Sequence, residues 1–179
     1  MRTIALDLAT TTGWAFHMPG MPNPHFGAFK LNGSPGQVGR KMDQLMTFLS
    51  ETSKTYGGID HIVFEAQHVA LGGKMNVDTI YMLISLGAAC ELYARWAQAK
   101  VWKAHISEWR KHFLGRGAAF ADKGQKISPK ELAIRRCADY GWHTNIADAA
   151  EACGVLDYFL SLHPKYERPW RDRVLLTGD

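Results

Sequence analysis

Short apolar runs punctuated by glycine and proline alternate with longer stretches of helical period along this chain of 179 residues. TIALDL, residues 3–8, reads as a buried strand, and Thr10-Thr11-Thr12-Gly13 as the turn into a second strand at WAFHM. After the Pro22-Asn23-Pro24 breaker, HFGAFKL (25–31) predicts a third, so three consecutive strands form an antiparallel meander. Val38, Met42, Leu45, Met46 and Leu49 recur at helical spacing between Val38 and Tyr56, and Gly57-Gly58 closes that helix. IDHIVFE (59–65) is a fourth strand, Asp78 to Ala99 a long helix and VWKAH (101–105) a fifth strand. Ser107 is expected to start a short helix to Leu114. GRGAAFADKGQK (115–126) reads as a basic, glycine-rich loop, and Ser128-Pro129 as the start of a helix to about Tyr140. A last helix runs from about Ile146 to Leu162. The order predicts an α/β fold with a mixed five-stranded sheet, three antiparallel N-terminal strands and flanking helices. Residues 1–163 are expected to form one domain, and 164–179 a charged C-terminal extension on the surface.

Composition supports a packed interior, with 46% apolar and 21% charged residues. Lys and Arg number 21 against 17 Asp and Glu, a net charge of +4 that leans toward polyanionic partners. Cys90, Cys137 and Cys153 form no C-x-x-C or Cys/His pattern, so neither disulfides nor structural zinc are expected. Ile80 to Trp96 is interrupted by Ser85, Gly87, Glu91 and Arg95, and MRTIALDL meets Asp7 too soon for a signal peptide. The expected location is the cytoplasm, of a bacterium or a phage-infected cell, with no membrane partner.

Three places carry the candidate chemistry. Asp7 ends the apolar run Ile4-Ala5-Leu6, where an ionised carboxylate is costly without a partner. Its bland role is to bond the turn amides of Thr10 to Gly13. Glu65 ends His61-Ile62-Val63-Phe64 in the same way; a strand-end Glu facing water is the alternative. Asp148 and Glu151, three apart, share one face of the last helix among alanines small enough to let it approach a sheet closely. Asn145 could also cap that helix with Asp148 at its third position, a structural role that can coexist with the first. Asp157, nine residues on, points the opposite way and is left out of the site. Four carboxylates in one place would repel unless a cation bound between them. Hard Mg²⁺ takes oxygen ligands, and a pair of ions can flank a phosphate, so a nucleic-acid phosphodiester is the natural substrate.

The strand-Asp in IALDLATTTGWA, the strand-Glu in IVFEAQHV and DAAEA on the last helix resemble, in that order, the RuvC-like Holliday junction resolvases of the ribonuclease H-like superfamily. The likeness spans about residues 3–160, and Lys74-Met75-Asn76-Val77-Asp78-Thr79 resembles the segment that opens the family's central helix. The resemblance implies a ribonuclease H-like fold and a homodimeric endonuclease that nicks opposing strands of a four-way DNA junction. It implies Asp7, Glu65, Asp148 and Glu151 as catalytic metal ligands for two Mg²⁺ ions per site, with Mn²⁺ as a substitute and no nucleotide cofactor. Glu151 stands where the family commonly has Asp, and Gln67-His68-Val69 stands where it often carries a wedging aromatic; His68 is the candidate for stacking on a base.

Basic residues gather between Lys100 and Lys130, and Lys103, Lys123, Lys126 and Lys130, together with Lys74, are the candidate phosphate contacts. Trp14, Trp102, Trp109 and Trp142 are expected to fill the core, and Ile80, Leu83, Ile84 and Gly87 to form either core or a dimer seam. Three rivals stand beside this reading. Asp7-Leu8-Ala9-Thr10-Thr11-Thr12-Gly13 is similar to the phosphate loop of actin-like sugar kinases, but those need two related domains. A ribonuclease H acting on RNA–DNA hybrids shares the superfamily. A non-catalytic DNA-binding protein of the same fold would gain nothing from clustered negative charge.

Overall fold

The structure is a computed structural model that describes residues 1–34, 36–66, 76–115, 120–122, 125–166 and 168–171. Strands β1 (Thr3–Asp7), β2 (Thr11–His17) and β3 (His25–Lys30) form the expected meander, followed by α1 (Val38–Tyr56) and β4 (His61–Glu65). Helix α2 (Val77–Ala97) leads to β5 (Lys100–Ala104) and the short α3 (Ile106–Leu114). A small hairpin, β6 (Phe120–Asp122) and β7 (Gln125–Ile127), precedes α4 (Pro129–Asp139) and α5 (Ala147–Ser161). The five-stranded sheet has the order β3-β2-β1-β4-β5, antiparallel from β3 to β1 and parallel from β1 through β4 to β5.

Strand alternation decides what each face of the sheet carries. Ile4, Leu6, Ile62 and Phe64 enter one core with α1 and α2, whereas Ala5, Ala15 and Val63 enter the other with α3, α4 and α5. The large residues thus lie under α1 and α2, and the small ones under α5. Counting on by two, Asp7 follows Ala5, Glu65 follows Val63 and Gly13 precedes Ala15, so all three belong to the α5 face. That period carries the carboxylates toward the helix that bears Asp148 and Glu151.

Three local expectations are corrected. The glycine-rich stretch contains the β6–β7 hairpin, paired from Phe120–Ile127 to Asp122–Gln125. Helix α3 begins after His105 rather than at Ser107; α5 begins after Ile146, where it is expected, and Asn145 does not cap it. The tail is not wholly superficial. Trp170 is fully buried, and its indole N–H donates to Asp157 Oδ1 at 2.7 Å. Arg171 also pairs with Asp157, and Arg168 Nη1 lies 3.6 Å from it. The charges of KYERPWRDR concealed this docking because Arg168 and Arg171 serve a carboxylate inside the protein.

By length and composition α2 is the one helix among the described residues apolar enough to cross a membrane. Its inner side, with Met82, Leu86, Cys90 and Tyr93, belongs to the core between α1 and the sheet.

Candidate active site

Asp7, Asp148 and Glu151 come together where the carboxyl end of β1 meets the first turns of α5. One carboxylate oxygen from each lies within 4.8 Å of the other two. The cluster rests on a close approach of backbones. Gly13, paired with Asp7 across β1 and β2, lies directly under the start of α5. A Cβ built on it would fall 1.9 Å from the Asp148 carbonyl oxygen and 2.2 Å from its carbon. Only hydrogen fits there. Gly13→Ala is therefore expected to displace the first turn of α5 and Asp148 with it, costing about 1–3 kcal/mol of stability as overpacking does. Thermal melting and cation titration on the same preparation check this; unchanged values in both would contradict it.

The electrostatics follow from crowding acids in a half-enclosed site. Burial first, then the charges of Glu151, Glu65 and Asp148, push the Asp7 carboxyl up to about 8, against the opposing charge of Lys130. Lys130, at the start of α4, sends Nζ to 2.7 Å from Asp148 Oδ1 and 3.7 Å from Glu151 Oε2. The hydrogen bond to Asp148 holds its ammonium above the usual range for lysine. Arg110 Nη2 donates to Glu151 Oε1 at 2.9 Å. Glu151 is almost wholly buried, so this pairing is weakly screened by solvent. The pocket therefore draws cationic groups between its oxygens. An oxygen-only donor set that raises a carboxyl's pKa and gathers Lys and Arg fits a hard divalent cation.

Glu65 stands beside this triad rather than within it. Phe64 pairs with Leu6, so Glu65 follows at the level of Asp7 on the neighbouring parallel strand. Trp109 Nε1 donates to Glu65 Oε2 at 2.9 Å. Trp109 and Arg110 were not legible as site residues, because tryptophan at that spacing reads as core and Arg110 as one more surface cation. Trp109 is indeed fully buried, as is Trp142, whereas Trp14 and Trp102 pack at the core's edge. Asp157 lies away from the cluster in the pairing with the tail.

Of the basic candidates, Lys130 lies at the cluster itself. Lys103 instead pairs with Glu91 of α2 at 2.6 Å and lies 5.8 Å from the Phe64 ring centroid. Lys74, His68 and Lys123 lie outside the described residues, as does the side chain of Lys126.

No protein-family model matches the sequence, and neither does any curated protein. Solved structures do match. Thermus thermophilus RuvC superposes with a TM-score of 0.63 over 91% of this chain and 97% of its own, at 14% identity. The chain has the fold of the RuvC resolvases. T. thermophilus RuvC in complex with a Holliday junction substrate gives the same TM-score at 12% identity, covering 90% of this chain and 96% of that one. The yeast mitochondrial Holliday junction resolvase Ydc2 gives 0.59 at 10% identity, over 98% of this chain and 81% of its own. The RuvC-type core, a ribonuclease H-like fold, accounts for the sheet order and for the antiparallel N-terminal strands. Sequence identity is too low for the likeness to convey more than the fold.

Proposed function

We propose that the protein is a divalent-metal-dependent endonuclease that cuts four-way DNA junctions by paired nicks as a homodimer. The observation that carries this reading is the carboxylate cluster of Asp7, Asp148 and Glu151, placed at one end of the sheet in a RuvC-type fold. That T. thermophilus RuvC was solved with a Holliday junction substrate supports the choice of DNA. Asp7, Asp148 and Glu151 would hold the metal, with Glu65 as the fourth carboxylate beside them. Mg²⁺ or Mn²⁺, as one ion or a pair, would activate water and neutralise charge on the phosphodiester and on the leaving oxygen. Half-buried Asp7 and buried Glu151 bring donors already stripped of part of their water, and the close backbone packing of Gly13 on Asp148 fixes their spacing. Lys130, half exposed on the rim, offers its ammonium to the incoming phosphate, with Lys74, Lys103, Lys123 and Lys126 as further contacts. His68 would meet an unstacked base at the junction.

The outer face of α2 supports the homodimer. Val77 is 76% exposed, Tyr81 62%, Ile84 51% and Trp96 66%, with Ala88 and Leu92 between them. The steps 77, 81, 84, 88 and 92 follow one helical stripe, too apolar to be left in water. A two-fold axis through such a stripe would pair identical helices and set two active sites on one junction. Ile84→Glu is expected to convert the dimer to a folded monomer in sedimentation velocity, with a melting temperature that no longer rises with protein concentration. A wild type that sediments as a monomer at working concentration would remove the paired-nick model.

Substrate choice is tested by incubating the protein with a four-way junction, a linear duplex and an RNA–DNA hybrid in Mg²⁺. Preferential cutting of the junction is the expected result. Equal cutting of the duplex would overturn junction selectivity, and preference for the hybrid would favour ribonuclease H activity.

A further inference from the structure

We propose that Trp109 and Arg110 of α3 are positioning residues that set the spacing of the candidate metal site, Trp109 through Glu65 and Arg110 through Glu151. This rests on the metal reading of the carboxylate cluster. Consecutive residues on a helix point about 100° apart, so one short helix can address two different elements. Trp109 turns into the core and gives its indole N–H to Glu65 at the end of β4, 2.9 Å away. Arg110 turns toward the pocket and reaches Glu151 on α5, also at 2.9 Å. Its guanidinium carbon lies 5.2 Å from the Trp109 ring centroid, so the two side chains also support each other.

The anchor of this arrangement is rigid. Trp109 is fully buried against Gly154 of α5, where a Cβ would fall 2.9 Å from Trp109 Cζ3 and 2.8 Å from Phe113 Cδ1. Gly154 thus leaves the room that the indole fills, on the same helix that carries Asp148 and Glu151. An indole N–H can only donate, so it holds one carboxylate oxygen of Glu65 in place. Arg110 does the same for one oxygen of Glu151. In each acid the oxygen so held is fixed, and the other is oriented by the carboxylate plane. Helix α3 therefore ties β4 and α5 together at the level of the acids they present.

The test is Mn²⁺ titration of the full-length protein, reading free Mn²⁺ by electron paramagnetic resonance, for wild type, Trp109→Phe, Arg110→Gln, Glu65→Gln and the Trp109→Phe/Glu65→Gln double variant. Phenylalanine keeps most of the ring and removes the N–H. Arg110 is partly exposed, so its variant folds even where the core variant is weakened. Each single change in α3 is expected to weaken Mn²⁺ binding about 10–100-fold, the range for outer partners of metal ligands. Trp109→Phe should have no further effect once Glu65 is Gln, because the coupling runs through that carboxylate. Equal affinities in wild type, Trp109→Phe and Arg110→Gln would overturn the positioning role, as would an undiminished Trp109→Phe effect in the Glu65→Gln background. A wild type that binds no Mn²⁺ would overturn the metal reading itself and with it this inference.

Discussion

Asp7→Asn is expected to reduce junction cleavage by at least about 100-fold, since losing a direct ligand exceeds the loss from an outer partner. It should do so without unfolding the protein. Burial and three neighbouring acids hold the Asp7 carboxyl up to about 8, so without a cation it is mainly neutral at pH 7. Asparagine copies the shape and charge of that neutral acid. Without metal, the melting temperature should match wild type near pH 4 and lie above it at pH 7, because asparagine stays neutral in the unfolded chain as well. The rise in melting temperature that Mg²⁺ gives the wild type should shrink in the variant. The sign of the pH effect follows from the raised value. The folded state keeps a proton that the unfolded state loses near pH 4, so Asp7 lowers metal-free stability as pH climbs from about 4 through about 8. Asp7→Asn removes that slope. Differential scanning calorimetry across this range, with and without Mg²⁺, checks both statements; an unchanged slope or unchanged cleavage contradicts them.

Asp157→Ala has the opposite signature, a large loss of stability that metal does not repair. Asp157 is fully buried in α5, and its oxygens accept from His112 Nε2 at 3.0 Å, from the Trp170 indole at 2.7 Å and from Arg171. Burial alone would raise its pKa, but the bonds from His112 and Arg171, with the charge of Arg171 and the bond from Trp170, pull it down to about 2. Removing the carboxylate leaves several donors and a guanidinium facing an apolar gap. The cost of breaking such a buried pair is about 3–5 kcal/mol. For a chain of this size that lowers the melting temperature by roughly 6–20 °C. A depressed carboxyl pKa contributes stability that is present above about 4 and lost as pH falls toward 2. The gap between wild type and variant should therefore narrow in that window, as urea unfolding at pH 7 and pH 3 would measure. A gap that stays constant would contradict this account of Asp157.

Most of the sheet was legible because strand and helix periods differ, and because the breakers Pro22, Pro24, Gly57 and Ser128-Pro129 stand at real boundaries. The candidate acids were legible for a physical reason. Asp7 and Glu65 end apolar strands, and Asp148 and Glu151 share a face on a helix of alanines, so chain order and spacing were enough to bring them to one end of the sheet. What holds them was not legible. Trp109 looks like any core tryptophan, and that its indole N–H points at Glu65 follows from how α3 packs on Gly154, a long-range contact. Gly13 read as a turn residue, whereas its constraint comes from the Asp148 carbonyl, far along the chain. The tail failed in a related way, since a carboxylate excluded from the site by its angle on α5 still required partners, and Arg171 and Trp170 supply them.

The central claim is that the Asp7, Asp148 and Glu151 cluster cuts phosphodiesters with a divalent cation. The most direct test is single-turnover cleavage of an end-labelled four-way junction by wild type and Asp148→Asn, in Mg²⁺ and in chelator. The account predicts paired nicks at symmetric positions for wild type in Mg²⁺, and intact junction in chelator or with Asp148→Asn. Nicking that persists in chelator, or that survives Asp148→Asn at the wild-type rate, would contradict it.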